Sequence, residues 1–360
     1  TIRLTSGFEK RDMNDVSRVP FRDVHFPSAR MLVEERPDGT LIVEPETKLE
    51  TFEPNLLLEL ERQARTRPDK PYLLERRGAD QNWTAHSYEE TRRDAHAVAQ
   101  WLIDKGVTAD RSLLILSGNS IMHAVFKYGA MAAGIPVCPV SVNYALMGGD
   151  YGRLRHVLGL VRPAVVFAEQ SALFAAALEA VDFGDAVIIT ADPRQVDRPA
   201  AAIDEILATR PGPEVDARIR SLDPDSAAFY MLTSGSTSLP KAVVQTHRMV
   251  AANLAQGRQV LGEAAGWKDV MLDWLPWNHV SGAFTQMGVM TSGGTLYIDA
   301  GRPLPGQFET TIRNLKDVPV SFFTNVPAGY AMLVDALEHD AALRQVFFSR
   351  LRLALYGGAG

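Results

Sequence analysis

Cysteine is almost missing from this sequence: Cys138 stands alone among 360 residues. One thiol closes no disulfide within the chain and builds no cysteine-based metal site, which implies a reducing, cytoplasmic setting. Basic blocks are absent too, and the net charge is −6. Nucleic acid is therefore not an expected partner, because neutralising its phosphates takes clustered Lys and Arg. No apolar run is long enough to span a bilayer, and no signal peptide is visible. Clusters of His, Asp and Glu with metal-ligand spacing do not occur either. With 46% hydrophobic and 22% charged residues, what is left is a globular chain with more than one core and fewer than three domains. Thr1, without a methionine, and Gly360, straight after an expected strand, read as the edges of a fragment.

What the sequence does have is alternation. Residues 1–50 form a polar arm punctuated by Pro20, Pro27, Pro37 and Pro45, with a turn at 36–40 and a short strand at 40–43. Expected helices at 55–66, 87–105, 121–133, 151–160 and 172–181 then interleave with strands at 72–75, 113–116, 137–140, 165–168 and 186–190. Residues 191–225 are rich in Pro, Asp, Arg and Ala, with a short helix near 203–208, and read as a linker. A second run follows, with strands at 227–232, 242–246, 270–275, 295–299, 321–325 and 351–356 and helices at 249–261, 284–290, 307–315 and 330–338. Apolar strands interleaved with helices mean α/β lobes with doubly wound, mainly parallel sheets. The expected organisation is an arm (1–50), a first lobe (51–190), the linker (191–225) and a second lobe (226–360).

Between strands 227–232 and 242–246 lies Thr233-Ser234-Gly235-Ser236-Thr237-Ser238-Leu239-Pro240-Lys241. Hydroxyls, a glycine and a lysine in one loop suit phosphate, through backbone N–H donors and a mobile positive charge. A hydroxyl-rich surface turn has the same composition. The Walker pattern fails, since Pro240 and Ala242 flank Lys241 where Gly and Ser or Thr are required. The nucleophile elbow fails as well, because Gly235-Ser236-Thr237 does not continue to a second glycine.

The loop resembles the Thr-Ser-Gly-Ser-Thr-Gly-x-Pro-Lys-Gly signature of the adenylate-forming superfamily of acyl-CoA synthetases, luciferases and peptide-synthetase adenylation domains. Ser238 and Ala242 replace two of its glycines. Four further stretches look similar to that family. Asp273-Trp274-Leu275-Pro276-Trp277-Asn278-His279 and Leu116-Ser117-Gly118-Asn119-Ser120 resemble the feruloyl-CoA synthetase branch. Gly293–Asp299 with Asn325-Val326-Pro327, and Tyr356-Gly357-Gly358-Ala359-Gly360, are similar to family patterns at large. Val280-Ser281-Gly282 departs from the feruloyl pattern after the histidine. Taken singly, a histidine after a strand is ordinarily a polar loop residue, and Trp274 and Trp277 are ordinarily core.

The resemblance implies an AMP-forming acid–CoA ligase that uses ATP, Mg²⁺ and coenzyme A on a small carboxylic acid, with a hydroxycinnamate such as ferulate leading. A fatty acid or another aryl acid is the alternative, and so is a module that binds nucleotide and acid without turnover. Thr233, Ser234, Gly235, Ser236, Thr237, Ser238 and Lys241 would hold phosphates, with Thr237 toward Mg²⁺; Gly357, Gly358 and Ala359 would lie beside the adenine. Lys241, His279 and Thr237 would carry catalysis. His279, Ser281, Gly282, Asn325 and Val326 would meet the acid, and Ser281, Thr324 or Asn325 could bond a ring hydroxyl. A homodimer is compatible with this reading. The family's magnesium-binding Glu segment, ribose Asp and lysine-bearing C-terminal lid find no match in these 360 residues, so a truncated large domain, weak or inactive alone, is expected.

Overall fold

The strands sort into two main sheets, and the sorting cuts across the expected boundaries. The computed structural model describes residues 22–28, 30–77, 81–233 and 239–358. One sheet has seven strands in the order Lys241–Thr246, Ala227–Thr233, Val137–Pro139, Ser112–Ile115, Pro163–Phe167, Val187–Thr190, Ala200–Ala202. The other has six, in the order Leu353–Tyr356, Phe322–Asn325, Val270–Asp273, Thr295–Ile298, Pro71–Arg77, Asn82–Ser87. Every neighbouring pair is parallel except Ala227–Thr233 with Lys241–Thr246 and Pro71–Arg77 with Asn82–Ser87. The expected α/β class with doubly wound, mainly parallel sheets is the observed one. The strands lack polar alternation for a physical reason: Ser112–Ile115 is buried at all its positions, as happens where helices cover both faces of a sheet.

The expected division into a first and a second lobe does not follow the pairing. Pro71–Arg77, inside the expected first lobe, extends the six-stranded sheet, with Leu73 opposite Leu296. Ala227–Thr233, expected to open the second lobe, joins the seven-stranded sheet, with Phe229 opposite Val137. Residues 191–225 are not a bare linker. They carry the edge strand Ala200–Ala202 and the helices Ile203–Leu207 and Pro213–Ser221, which bury Ile203, Ile206, Val215 and Ile219. Pro213 in the first turn of its helix is a start signal. In the arm, the expected strand is there as Leu41–Pro45, and Met31–Glu35 pairs with it as a hairpin.

The helices Tyr88–Asp104, Ile121–Ala132 and Val280–Ser292 share one buried cluster with strands of both sheets, including Leu73 and Leu296 from one and Leu113 and Val137 from the other. Ser87 caps Tyr88–Asp104 as expected, in a reciprocal capping box with Glu90. Polar groups inside this core are tied across it. The Tyr72 and Tyr128 hydroxyls lie 2.9 Å apart, and Tyr72 donates to the Gln286 carbonyl at 3.1 Å. The Tyr88 hydroxyl is 3.1 Å from the Val289 carbonyl and 2.9 Å from that of Gly294. Lys127 Nζ donates to Gln286 Oε1 at 3.1 Å.

Candidate active site

Parallel strands end together, so the loops that follow them gather on one edge, where ligands of open α/β sheets sit. In the six-stranded sheet three of the sequence motifs follow adjacent strand ends. Asn325 and Tyr356 are register partners, and Gly357 N donates to the Asn325 carbonyl at 3.3 Å. Gly357 and Gly358 are exposed. Gly358 has φ +101°, a conformation that favours glycine, and a Cβ there would lie 3.6 Å from Val326 Cγ1. The pair thus leaves a bare stretch of backbone beside the half-buried Val326. Ala359 lies outside the described residues.

The third motif folds back at the next strand end. Leu275 N donates to Asp273 Oδ1 at 3.0 Å, and His279 N to the Pro276 carbonyl at 3.0 Å. Asp273 is buried, which pushes its carboxyl up to about 7, and the neighbouring charge of Asp299 adds to the effect. Trp277 is buried with its ring edge-on to His123, centroids 5.0 Å apart. The Arg302 guanidinium lies 5.4 Å from the Trp274 ring centroid. His279 is the exposed N-cap residue of Val280–Ser292, and its ring makes no hydrogen bond among the described residues. The helix starts before the expected position 284 because Gly282 sits directly on the turn. A Cβ at Gly282 would be 2.2 Å from the Leu275 oxygen and 2.5 Å from that of Pro276.

Two residues expected to meet the acid are buried. Gly282 is buried, pressed against the backbone of Leu275 and Pro276. Asn325 is wholly buried, its Oδ1 accepting from Trp274 Nε1 at 3.0 Å and from Val326 N at 2.9 Å. Ser281 is exposed and Thr324 half-buried.

In the seven-stranded sheet, Thr233 and Lys241 face each other as the last register pair of their antiparallel strands. Both are exposed, and Lys241 forms no ion pair among the described residues. Ser234, Gly235, Ser236, Thr237 and Ser238 lie outside the described residues. Thr233 and Val280, the residue after His279, border one groove of about 440 Å³. Its walls are mostly apolar, with Phe229, Met231, Phe284 and Met287, and Gln245 and Asn253 bring two amides to it. These two were not among the expected site residues, because nothing in the pattern of a strand or a helix marks a wall facing a distant element.

An unpaired exposed lysine beside the hydroxyl loop, and bare glycine backbone at a strand end, fit the phosphates and the flat base of a nucleotide. For a resident metal ion the fit is different: among the described residues no group of three or more His, Cys, Asp or Glu could hold one. No helix among the described residues is long and apolar enough to cross a membrane.

A sulfoacetate–CoA ligase from Cupriavidus necator is 25% identical over 274 residues, 73% of this chain and 50% of that protein. A luciferin 4-monooxygenase from Nipponoluciola cruciata is 23% identical over 254 residues, 69% of this chain and 45% of its own length. The chain thus spans about half the length of these relatives. In fold it is similar to a benzoate CoA ligase from Burkholderia xenovorans, with a TM-score of 0.65 and 20% identity over 84% of this chain and 55% of that one. The family model of the AMP-binding enzymes matches residues 60–360, and the chain belongs to that family.

Proposed function

We propose that this chain is the acid-activating part of an AMP-forming carboxylate–CoA ligase. A carboxylate oxygen of the acid bonds to the α-phosphorus of ATP, the bond to pyrophosphate breaks, and the acyl adenylate is later attacked by the coenzyme A thiol, releasing AMP. One observation carries the reading: Thr233, which opens the hydroxyl loop, and Val280, which follows His279, border the same groove, with the unpaired Lys241 opposite Thr233. Lys241 is assigned to the β- and γ-phosphates, where positioning and charge neutralisation make up most of the catalysis. His279 is assigned to the attacking carboxylate. It caps a helix of 13 residues, and the N–H groups of such an end attract anions. Gly357 and Gly358 are assigned to the adenine face.

For the acid, a hydroxycinnamate such as ferulate remains the leading choice. The groove offers aromatic and methionine walls to a flat ring, and Gln245 and Asn253 are now the partners assigned to its hydroxyl. A flexible fatty acid or another aryl acid would also find apolar walls there. The test is acid-dependent exchange of pyrophosphate into ATP by the natural full-length protein. Ferulate and p-coumarate are expected to lead, with cinnamate behind p-coumarate, because a site built to bond a hydroxyl discriminates against analogues lacking it. A lead by a medium-chain fatty acid would overturn the hydroxycinnamate choice and leave adenylation standing. Nucleotide binding without exchange for any acid would make the chain a binding module. Lys241→Ala is expected to weaken apparent ATP affinity by about 1.5–3 kcal/mol, the worth of a charge-assisted contact.

A further inference from the structure

We propose that Asn119 is a positioning residue of the adenylation step, holding the His279 loop in place from the opposite sheet. The proposal rests on the role assigned above to His279. Asn119 follows the strand Ser112–Ile115 of the seven-stranded sheet, whereas Leu275–Trp277 follows Val270–Asp273 of the six-stranded one. Its Nδ2 donates to the Leu275 carbonyl at 2.9 Å, and its Oδ1 accepts from Trp277 N at 2.9 Å. Both ends of one carboxamide are thus bonded to backbone groups two residues apart. That arrangement fixes the plane of the chain at Pro276, and only Asn278 separates the clamped residue Trp277 from His279.

The clamp is itself anchored. Ser120 Oγ donates to Glu169 Oε2 at 2.6 Å and accepts from His123 N at 3.0 Å, capping Ile121–Ala132. His123 Nδ1 lies 2.9 Å from the Gly118 carbonyl, and its ring makes a T-shaped contact with the ring of the buried Trp277. The loop before the clamp therefore has no slack, and a rigid support is what a site needs to hold a reacting group in productive geometry. Proline at 276 adds stiffness, since it removes a donor and fixes one dihedral. Asn119 acts on neither nucleotide nor acid directly. Its effect reaches the reaction only through the placement of His279.

The experiment is a double-mutant cycle in the natural full-length protein, read by acid-dependent ATP–pyrophosphate exchange. Asn119→Ala is expected to lower kcat at least about tenfold with little change in the KM for ATP, since misplacing a catalytic group costs rate more than binding. In a His279→Ala background, Asn119→Ala is expected to cost less than about twofold more, because the group it positions is gone. Should the alanine variant fail to fold, Asn119→Asp keeps the size and the acceptor for Trp277 N while losing the donation to Leu275, and the same cycle is run with it. Wild-type exchange by the folded Asn119 variant, or a full additive loss in the double variant, overturns the proposal. His279→Ala with wild-type exchange would instead overturn the role of His279, and the path through Asn119 with it.

Discussion

The Trp274 indole N–H donates to the Asn325 side-chain oxygen at 3.0 Å, joining the ends of two neighbouring parallel strands. The same oxygen accepts from Val326 N. Gly329 leaves the room for this arrangement, since a Cβ there would lie 2.2 Å from Asn325 Oδ1. The Asn325 oxygen thus holds Val326 and the glycine turn beside it, while its buried Nδ2 has no hydrogen-bond partner among the described residues. Asn325→Ala is expected to destabilise the protein by about 1–3 kcal/mol, since two donors lose their acceptor in a buried place. Equilibrium urea unfolding measures this. A change in acid KM without a loss of stability would return Asn325 to the pocket.

Gly282 offers a sharper test of the same region. The atoms in the way of a new methyl group are the Leu275 and Pro276 carbonyls, which are backbone and cannot rotate aside. Gly282→Ala is expected to displace the turn, costing about 1–3 kcal/mol of stability as overpacking does and lowering exchange activity. Ser281→Ala, one residue away and exposed, is the control, expected within about 0.5 kcal/mol of wild type. Equal stability of the two variants would contradict the close approach.

The α/β class, the capped helix at Ser87 and the three motif-bearing strand ends were legible in the sequence because they are local: apolar runs, caps and loops of fixed composition. The lobe boundaries were not, because Leu73 against Leu296 and Phe229 against Val137 are pairings over long separations that leave no periodic mark. Pro213–Ser221 was hidden by its polar, proline-rich context, although Pro213 and the spacing of Val215 and Ile219 carry a helical signal. At the site, the motif residues were visible but their duties were not. Asn119 and His279 belong to separate motifs, and only the folded chain brings the first to the loop of the second.

Asp273 gives the turn a pH dependence. Its folded-state value of about 7 lies above the ordinary carboxylate value of 3.8, chiefly through burial. The folded protein therefore binds the extra proton between these values, so this group's contribution to stability is full below the unfolded value and is lost as pH rises toward 7. Asp273→Asn keeps the oxygen that accepts from Leu275 N and removes the titration. The stability of this variant relative to wild type is expected to rise between pH 4 and pH 7, by at most about 1.4 kcal/mol per pH unit. Urea titrations at stepped pH values measure the difference, and a flat difference would show that Asp273 is not buried as a neutral acid.

Lys127 has the opposite sign. It is buried between Ile121–Ala132 and Val280–Ser292, with Gln286 Oε1 as its hydrogen-bond partner and the Phe229 ring 5.1 Å away. No carboxylate forms an ion pair with it among the described residues. Burial pushes its ammonium down to about 7 from 10.5. Between these values the unfolded chain binds more protons than the folded one, so the Lys127 contribution to stability rises with pH across that window. At pH 7 and below, the buried charge is a cost that an apolar side chain of similar length does not bear. Lys127→Met is therefore expected to match or exceed wild-type stability at pH 6, even though it leaves Gln286 Oε1 without its donor. The advantage is expected to shrink steadily toward pH 9 as the wild-type lysine loses its proton. Thermal unfolding of both proteins from pH 6 to pH 9 decides the matter. A variant destabilised equally at every pH would mean that Lys127 stays charged throughout and that its bond to Gln286 outweighs its burial.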